Sequence, residues 1–319
     1  MKIKVKTITP VHIGSGEEIS PIEYFIDKEK GYFNVLNMDR LFSDKAFEKY
    51  REKFIKEASI TRYIGKIIPD QDLLRKHLKY SIPISLEARQ SNPIEVKSFI
   101  KSAGRPFIPG SSIKGAMISA LVYYALRESY KNSADKSHLL SMFNSRKDGY
   151  DDLLAQAYGF LAKEKRSASF GGKEDKFLNL FDVSDSSCLE SKRSLRVELA
   201  KVDGAKRGGN IPIMYETLKE SVEAEFEIRC KNCRLDEKKV LEICHEFYQK
   251  VARKDGVNIP VSPYLLRIGQ GVSAYGTSLL ILAEEMGTKD YFIKPPRTRK
   301  RLLEGIEKKA MGFVQLIPV

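Results

Sequence analysis

Apolar and polar side chains alternate along several short stretches of the chain, which is typical of half-buried strands. The alternation is clearest at residues 222–229, and residues 2–7 show it as well. Shorter apolar stretches bounded by Gly, Pro or Asp predict further strands. These predicted strands cover residues 21–26, 32–36, 82–100, 177–183, 195–202 and 312–317.

In two other segments apolar residues recur at every third or fourth position, which predicts amphipathic helices. The first of these helices is expected to begin near Ile113. The two apolar faces consist of Ile113, Met117, Leu121 and Tyr124, and of Val240, Ile243, Cys244, Phe247 and Val251. Residues 38–78 and 137–161 are predicted to be helical as well.

The predicted elements follow the order strand, helix, strand, strand, helix, strand, repeated roughly twice. This order predicts an α+β fold with two ferredoxin-like (RRM-like) domains that carry helical insertions. The boundary between the domains is predicted near residue 200, so that they would comprise residues 1–200 and 201–319.

Composition and charge narrow the class of partner. The 319 residues are 42% hydrophobic, which is enough for a folded core, and 55 Lys and Arg against 42 Asp and Glu give a net charge of +13. Such a surplus indicates a polyanionic partner, either nucleic acid or an anionic membrane surface. No apolar run approaches the ~20 residues of a membrane span, and the first residues lack the pattern of a signal peptide. We therefore expect a nucleic-acid partner and no membrane contact.

The four cysteines favour a reducing compartment, so a cytoplasmic location is expected. Cys230 and Cys233 form a CxxC motif, but a zinc site would need two further ligands. Asp182 and Asp185 are interpreted as turn residues that end a strand. Neither a metal ion nor a cofactor is predicted.

The segment FIPGSSIKGAM, residues 107–117, carries the most local information. Ser111 or Ser112 is expected to cap the helix that follows. The first turn then holds Lys114 and Gly115 without a carboxylate, which is unfavourable at a helix N-terminus by ~0.3–1 kcal/mol. A phosphate bound to the backbone N–H groups, with Lys114 as counter-charge, would explain both residues. The alternative is a solvated Lys and a Gly used for packing.

A glycine-rich turn near the C-terminal end holds Gly269, Gly271 and Gly276. The spacing fits neither a dinucleotide-binding fingerprint nor a Walker loop. Its backbone, together with Arg267, is a candidate for contact with a sugar–phosphate chain, and a plain hairpin connection is the alternative. Tyr275 beside the turn is a candidate for base stacking, although a core role is equally compatible with the sequence.

Two further features complete the set of candidate RNA contacts. Residues 296–301 (PRTRKR) form a basic cluster, which is either a solvated face or a contact with backbone phosphates. His12 follows the first predicted strand and precedes GSG. A His at this place would serve as a general base in RNA cleavage, or it has a structural or RNA-contact role.

Five segments resemble, in this order along the chain, the RAMP superfamily, the repeat-associated mysterious proteins of CRISPR systems. They are PVHIGSGEEISPIEYFID, FIPGSSIKGAM, FDVSDS, LRIGQGVSAYG and PRTRKRLLEGIEKKAMGFVQL. The resemblance covers residues 9–316. IPGSSIKGA is shared across the superfamily, whereas the opening and closing segments are more specific to the subunit-five family of type III-A Csm effector complexes.

The resemblance implies two RRM-like domains and a subunit that caps the 3′ end of the guide RNA and is needed for guide maturation. It also implies contacts with the neighbouring backbone subunit and with the small helical subunit. Target RNA cutting belongs to an Asp of the backbone subunit, which has no matching position here. Gln270 and Val272 replace a tighter glycine run of the family, which leaves the RNA contact of this turn open.

The leading hypothesis is therefore a non-catalytic RNA-binding subunit, with guide RNA as its partner and target RNA as a further possible one. The residues expected to contact RNA are His12, Arg105, Ser111, Ser112, Lys114, Arg267, Gly269, Gly271, Tyr275, Gly276, Arg297, Arg299, Lys300 and Arg301. One rival hypothesis is a metal-independent RAMP endoribonuclease with His12 as general base. The other is a protein-binding scaffold in which the basic charge is incidental.

Overall fold

The computed structural model describes the chain except for residues 62, 133–139, 142–147, 165–176, 178, 203–211, 260–263, 289–299 and 305–306. The strands are β1 (Lys2–Thr7), β2 (Gly14–Ile19), β3 (Tyr24–Asp27), β4 (Tyr32–Leu36), β5 (Leu78–Pro83), β6 (Val96–Phe99), β7 (Lys101–Ser102), β8 (Arg105–Pro106), β9 (Phe181–Val183), β10 (Leu195–Val202), β11 (Ile213–Leu218), β12 (Glu223–Cys230), β13 (Leu265–Arg267), β14 (Lys300–Glu304), β15 (Glu307–Ala310) and β16 (Phe313–Pro318).

The α-helices are α1 (Met38–Phe42), α2 (Glu48–Thr61), α3 (Ile64–Ile67), α4 (Gln71–Lys76), α5 (Leu86–Gln90), α6 (Gly110–Asn132), α7 (Asp148–Leu161), α8 (Ser191–Ser194), α9 (Glu237–Lys254) and α10 (Leu280–Glu285). Short 3-10 helices occupy Lys45–Phe47 and Ala274–Gly276. No helix in the described part of the chain combines the length and the apolar character that crossing a bilayer requires.

Both ends of the chain meet in one antiparallel sheet with the strand order β13-β16-β1-β12-β9. β1 lies in the middle, between β12 and β16. The alternation predicted for β1 and β12 is confirmed, because Ile3, Val5 and Phe226 are buried on one face. On the other face the Lys residues of β1 lie opposite Glu residues of β12, and Lys4 Nζ is 3.3 Å from a carboxylate oxygen of Glu223.

Helices α6 and α9 cover the buried face of this sheet. Met117 of α6 and Phe247 of α9 belong to the same core as Ile3 and Phe226. This sheet and its two helices have the chain order β-α-β-β-α-β, formed by β1, α6, β9, β12, α9 and β16, with other elements inserted between them. The spatial order of the four strands is β16-β1-β12-β9. β13 extends the sheet at the edge beside β16.

A second sheet has the order β15-β14-β10-β11-β6-β2, and its β6 and β11 run parallel. Each of the two large sheets takes strands from both sides of residue 200. The predicted division into residues 1–200 and 201–319 is therefore wrong. Strand pairing over a long sequence separation decides the units of this fold, and a linear order of elements does not reveal it.

An insertion between β1 and α6 contains a third sheet, β3-β4-β5, and the helices α1 to α4. It has a core of its own, formed by Phe25, Leu36, Leu41, Phe47, Ile64, Ile67, Ile68, Leu73 and Leu74. The helical prediction for residues 38–78 is confirmed, although the helix is broken into short pieces. Residues 82–100 are not continuously extended, because Ser85 caps the short helix α5 between β5 and β6.

The start of α6 differs from the prediction in a way that matters for the site. The helix begins at Gly110, so Ser111 and Ser112 lie inside its first turn and do not cap it. Instead, the backbone N–H of Gly110 donates a hydrogen bond to Oδ1 of Asp185 at 2.8 Å. The negative charge that the first turn lacks in sequence thus comes from the segment after β9. A side chain at position 110 would overlap the carbonyl oxygens of Val183 and Ser184.

We expect Asp185→Asn to lower the free energy of unfolding by about 1 kcal/mol, because it removes the negative charge at the N-terminus of α6. Asp182→Asn is the matched control, since Asp182 forms a solvent-exposed ion pair with Lys231 and such pairs contribute roughly 0–1 kcal/mol. Urea unfolding of the two variants and the wild-type chain measures both effects. A larger loss in the Asp182 variant would contradict the capping role.

Candidate nucleic-acid interface

Three segments that are distant in sequence line one open groove of about 400 Å³. They are the start of β2, one flank of α6 and the end of β13 with the glycine-rich turn after it, and Tyr248 of α9 completes the lining. The lining residues are Ile13, Gly14, Ser111, Ser112, Gly115, Ala116, Ser119, Tyr248, Arg267, Ile268, Gly269, Gln270, Val272, Gly276 and Thr277. The groove therefore unites the segments PVHIGSGEE, FIPGSSIKGAM and LRIGQGVSAYG.

The α6 side of the groove is built from small residues. Ser111, Gly115 and Ser119 are spaced by four positions and therefore lie on one helical face. Apart from its chain neighbours and the backbone of α6 itself, nothing in the described part of the chain comes within 4 Å of where a Cβ of Gly115 would lie. The packing explanation for Gly115 is thus wrong, and its missing side chain leaves space for a ligand.

The glycine-rich turn is held against the N-terminal segment by direct backbone contact. The N–H of Gln270 donates to the carbonyl oxygen of His12 at 2.8 Å. Gly269 has a φ of +82° and Gly271 a φ of +78°, and a Cβ at 269 would overlap the His12 carbonyl oxygen. The turn is not a plain hairpin, because β13 before it pairs with β16 and a 3-10 helix follows it.

Arg267 supports this turn from inside the protein. Its guanidinium is fully buried, forms an ion pair with Asp255, and donates from Nε to the carbonyl oxygen of Met311 at 2.9 Å. It also lies over the ring of Phe313, 4.5 Å from the centroid. Burial lowers the pKa of Arg267, and the Asp255 carboxylate opposes this. The prediction of an Arg267–phosphate contact is corrected, since every part of the side chain is enclosed.

His12 is also enclosed, with 0% exposure. Its Nδ1–H donates to the carbonyl oxygen of Glu216 at 2.7 Å, and its ring packs 4.5 Å from that of Tyr215. Burial, together with the positive charges of Lys300 and other nearby lysines, lowers its pKa to about 4. His12 is therefore neutral at pH 7, and the expected surface contact of its side chain with RNA is corrected. The ring lies behind the groove and positions its wall.

Three other predicted contacts do not line the groove. Lys114 is on the β9 flank of α6, with Nζ 5.5 Å from the ring centroid of Phe181, and burial lowers its pKa. Arg105 is exposed in β8. Tyr275 is half-buried, and its hydroxyl donates to Glu284 at 3.4 Å.

The basic cluster at residues 296–301 is described only in part, and its two described residues make different contacts. Arg297 and Arg299 lie outside the described residues. The backbone N–H of Lys300 donates to the carbonyl oxygen of Gly271 at 3.0 Å, and its Nζ bonds to the hydroxyl of Tyr215. Arg301 instead donates to the backbone oxygen of Asp255 at 2.6 Å. Lys300 is thus the member of the described cluster that adjoins the glycine turn.

Sequence reasoning missed Gly14, Ser119 and Gln270 as parts of the groove. The four-residue spacing of Ser111, Gly115 and Ser119 was a usable signal for a small-residue helix face. No local signal existed for Gly14, because its role depends on contact with residue 270.

The cysteines do not form a metal site in the described part of the chain, where no three His, Cys, Asp or Glu side chains gather around a common point. Cys230 and Cys233 lie against each other, and their hydrogen bond lowers the pKa of Cys233 to about 7. Cys244, on α9, lies in the hydrophobic core, as predicted.

Known proteins share sequence and fold features with this chain. The sequence pattern of the RAMP superfamily matches residues 4–306, which is nearly the whole chain. The chain belongs to the RAMP superfamily. The resemblance noted from the motifs is thereby confirmed.

Within the superfamily the chain is similar to proteins named CRISPR system Cms protein Csm5. It is 27% identical to the one from Streptococcus thermophilus over 250 residues, which is 71% of this chain and 63% of the relative. It is 27% identical to the one from Methanocaldococcus jannaschii over 234 residues, 68% of this chain and 49% of the relative. The aligned part thus spans about half to two thirds of these relatives' lengths.

Solved structures share the fold over the whole length. A chain in the cryo-EM structure of a Csm–crRNA–target RNA ternary complex of a type III-A CRISPR-Cas system superposes with a TM-score of 0.71 at 21% identity, covering 99% of this chain and 100% of that chain. The crystal structure of T. onnurineus Csm5 gives a TM-score of 0.66 at 22% identity, covering 98% and 99%. The α+β fold is confirmed.

Gly269→Ala is expected to lower the free energy of unfolding by at least about 2 kcal/mol, because Ala disfavours positive φ and its Cβ meets the His12 carbonyl. Gly115→Ala is the matched control, and we expect it to raise the free energy of unfolding by up to about 1 kcal/mol, since its Cβ enters open space on a helix. Urea unfolding measures both values. Similar effects of the two substitutions would contradict the contact at 269.

The lowered pKa of His12 predicts a pH dependence of stability. Between pH 6.5 and about 4 the unfolded chain binds a proton at His12 that the folded chain does not, so stability falls as pH falls through this window. The loss amounts to about 3 kcal/mol at pH 4 relative to pH 7. Unfolding free energies of wild type and His12→Phe across this range test it: the variant is expected to show the flatter profile, and parallel profiles would contradict the assignment.

Proposed function

We propose that this chain is a non-catalytic RNA-binding subunit of a type III-A Csm effector complex and binds single-stranded RNA in the groove. One observation carries the proposal: three distant segments converge on a single open groove that no described carboxylate lines. A groove without negative charge accepts a polyanion, and the chain's net charge of +13 favours the same partner.

The lining chemistry suits a sugar–phosphate chain. Gly115 allows close approach of a ligand to the backbone, and Ser111 and Ser112 supply hydroxyl groups. Such neutral hydrogen-bonding groups fix the register of a bound strand.

A lysine beside the glycine-rich turn supplies positive charge. The backbone N–H of Lys300 donates to the carbonyl oxygen of Gly271, whereas Lys97 and Lys101 are paired with Glu18 and Glu216. The positive charge of Lys300 attracts the strand before the neutral groups of the groove position it.

The finer parts of the proposal are supported by the relatives' names and by the complex in which the cryo-EM neighbour was solved. We infer guide RNA as the ligand, with this chain capping its 3′ end and required for its maturation in antiviral defence. The inferred partners are the backbone RAMP subunit, the small helical subunit and, beyond the guide, target RNA. A cytoplasmic location and a second ferredoxin-like unit, built around the β10–β11 sheet, belong to the same proposal.

The geometry of His12 argues against the endoribonuclease alternative. A general base must reach the proton that it abstracts, whereas His12 has no exposed surface and its Nδ1 is engaged with Glu216. Incubation of the purified chain with guide precursor RNA in EDTA discriminates the two functions. Intact RNA supports the binding subunit, and specific cleavage that disappears in His12→Ala would contradict it.

The groove itself is tested by filling it. Gly115→Leu places a side chain in open space, so the fold is expected to remain while the affinity for a single-stranded RNA falls by at least about tenfold. Lys56→Leu is the control, because Lys56 is exposed on α2, and its affinity is expected to stay within about twofold of wild type. Fluorescence anisotropy at several salt concentrations measures both, and wild-type affinity should fall as salt rises. Absence of RNA binding at low salt would contradict the proposal and favour a protein-binding scaffold.

A further inference from the structure

Two cysteines lie at the turn between β12 and α9, away from the groove. Cys230 is the last residue of β12 and follows the buried Ile228 by two positions, so it faces the core side of the sheet. It lies at the rim of the core and is partly exposed, whereas Cys233 has 0% exposure. Both are free thiols, and their side chains are hydrogen-bonded to each other. RNA binding in the groove assigns no role to this pair.

The turn that carries the cysteines is fixed to the end of α7. On one side of residue 233 the carbonyl oxygen of Asn232 accepts from the backbone N–H of Lys163 at 2.9 Å. On the other side the backbone N–H of Arg234 donates to the carbonyl oxygen of Leu161 at 2.8 Å. The backbone around Cys233 is therefore held in place, and the two sulfur atoms stay in contact without a rearrangement of the turn.

The two thiols share a proton. The hydrogen bond from Cys230 lowers the pKa of Cys233 to about 7, and the positive charge of Lys163 acts in the same direction. The same hydrogen bond raises the pKa of Cys230. Because the thiolate is the nucleophile in thiol–disulfide exchange, the pair holds a reactive form of sulfur near neutral pH.

We propose that Cys230 and Cys233 form a dithiol redox site, which a low-molecular-weight disulfide oxidises reversibly to an intramolecular disulfide. The contact between one partly exposed and one enclosed sulfur carries this inference. A CxxC spacing suits such a pair. Within the described residues no third His, Cys, Asp or Glu joins the pair in a group able to hold a metal ion. The inference does not depend on RNA binding.

The order of the steps follows from the exposure of the two sulfur atoms. Cys230 meets the oxidant, because Cys233 is enclosed. As the Cys230 proton passes to Cys233, the Cys230 sulfur attacks one sulfur of the oxidant and releases the other as a thiolate. Cys233 then gives its proton to that thiolate, attacks the Cys230 sulfur and releases the second thiolate. The pair loses two electrons and one proton, and the oxidant becomes one thiol and one thiolate.

The first test uses the Cys188→Ser chain, because Cys188 is exposed and would react with the oxidant by itself. Three of the four cysteines then remain. The folded chain is incubated with oxidised glutathione, and the thiols that remain are alkylated after unfolding and counted by mass spectrometry. We expect a loss of two thiols at Cys230 and Cys233, no retained glutathione, and full recovery with dithiothreitol. Three remaining thiols, or glutathione retained on Cys230, would overturn the inference.

Variants in the same background separate the two sulfur atoms. Cys233→Ser is expected to retain glutathione on Cys230, because no second thiol displaces it, and Cys230→Ser is expected to retain none. Cys244→Ala is the control, since burial raises the pKa of the Cys244 thiol, and it should lose the same two thiols as its parent. Circular dichroism of the oxidised parent is expected to match that of the reduced chain. Loss of folded structure on oxidation, or a Cys233→Ser chain that takes up no glutathione, would contradict the proposed site.

Discussion

The groove depends on the close stacking of three backbone segments around Gly312. The N–H of Gly312 donates to the carbonyl oxygen of Pro10 at 2.9 Å, and the N–H of Ile268 donates to that of Gly312 at 2.9 Å. The bond from Gln270 to His12 continues the same contact. Side chains at 269 and 312 would overlap neighbouring carbonyl oxygens, so glycine at both positions is what lets the segments touch. Because β1 and β16 pair at the centre of the first sheet, this junction of the chain's two ends is held in place by the core.

Buried polar groups behind the groove keep its wall in one conformation. Asp255 and Arg267 form an enclosed ion pair at the glycine-rich turn, and such a pair is strongly destabilising to break because the remaining charge stays buried. On the other side the Glu216 carboxylate accepts from the Phe99 N–H at 2.8 Å and from the Tyr80 hydroxyl at 2.6 Å. The groups that line the groove are accordingly backbone, hydroxyls and one amide, all on a rigid support.

The open face of the first sheet has a different character from the groove. RRM-like domains that bind RNA on the sheet do so by stacking bases on aromatic side chains. Here the corresponding face of β1 and β12 carries opposing Lys and Glu residues, such as Lys4 opposite Glu225 and Lys6 opposite Glu223. These charges largely neutralise one another, so the net positive charge of the chain acts elsewhere. The helix flank and the turn at the sheet edge are where space and neutral hydrogen-bonding groups coincide.

The sequence by itself determined the local elements and the segments that line the groove. Alternation in residues 2–7 and 222–229 and the apolar stripes of α6 and α9 reflect periods of two and 3.6 residues, which a one-dimensional pattern records. Only the tertiary structure decided which side chains of those segments are available. Arg267 and His12 look like surface ligands in sequence, yet pairing of β13 with β16 and of Val11 with Leu218 encloses them. Asp185 caps α6 and Gln270 faces Gly14 for the same reason: burial and contact between residues far apart in sequence depend on strand pairing, which no local period encodes.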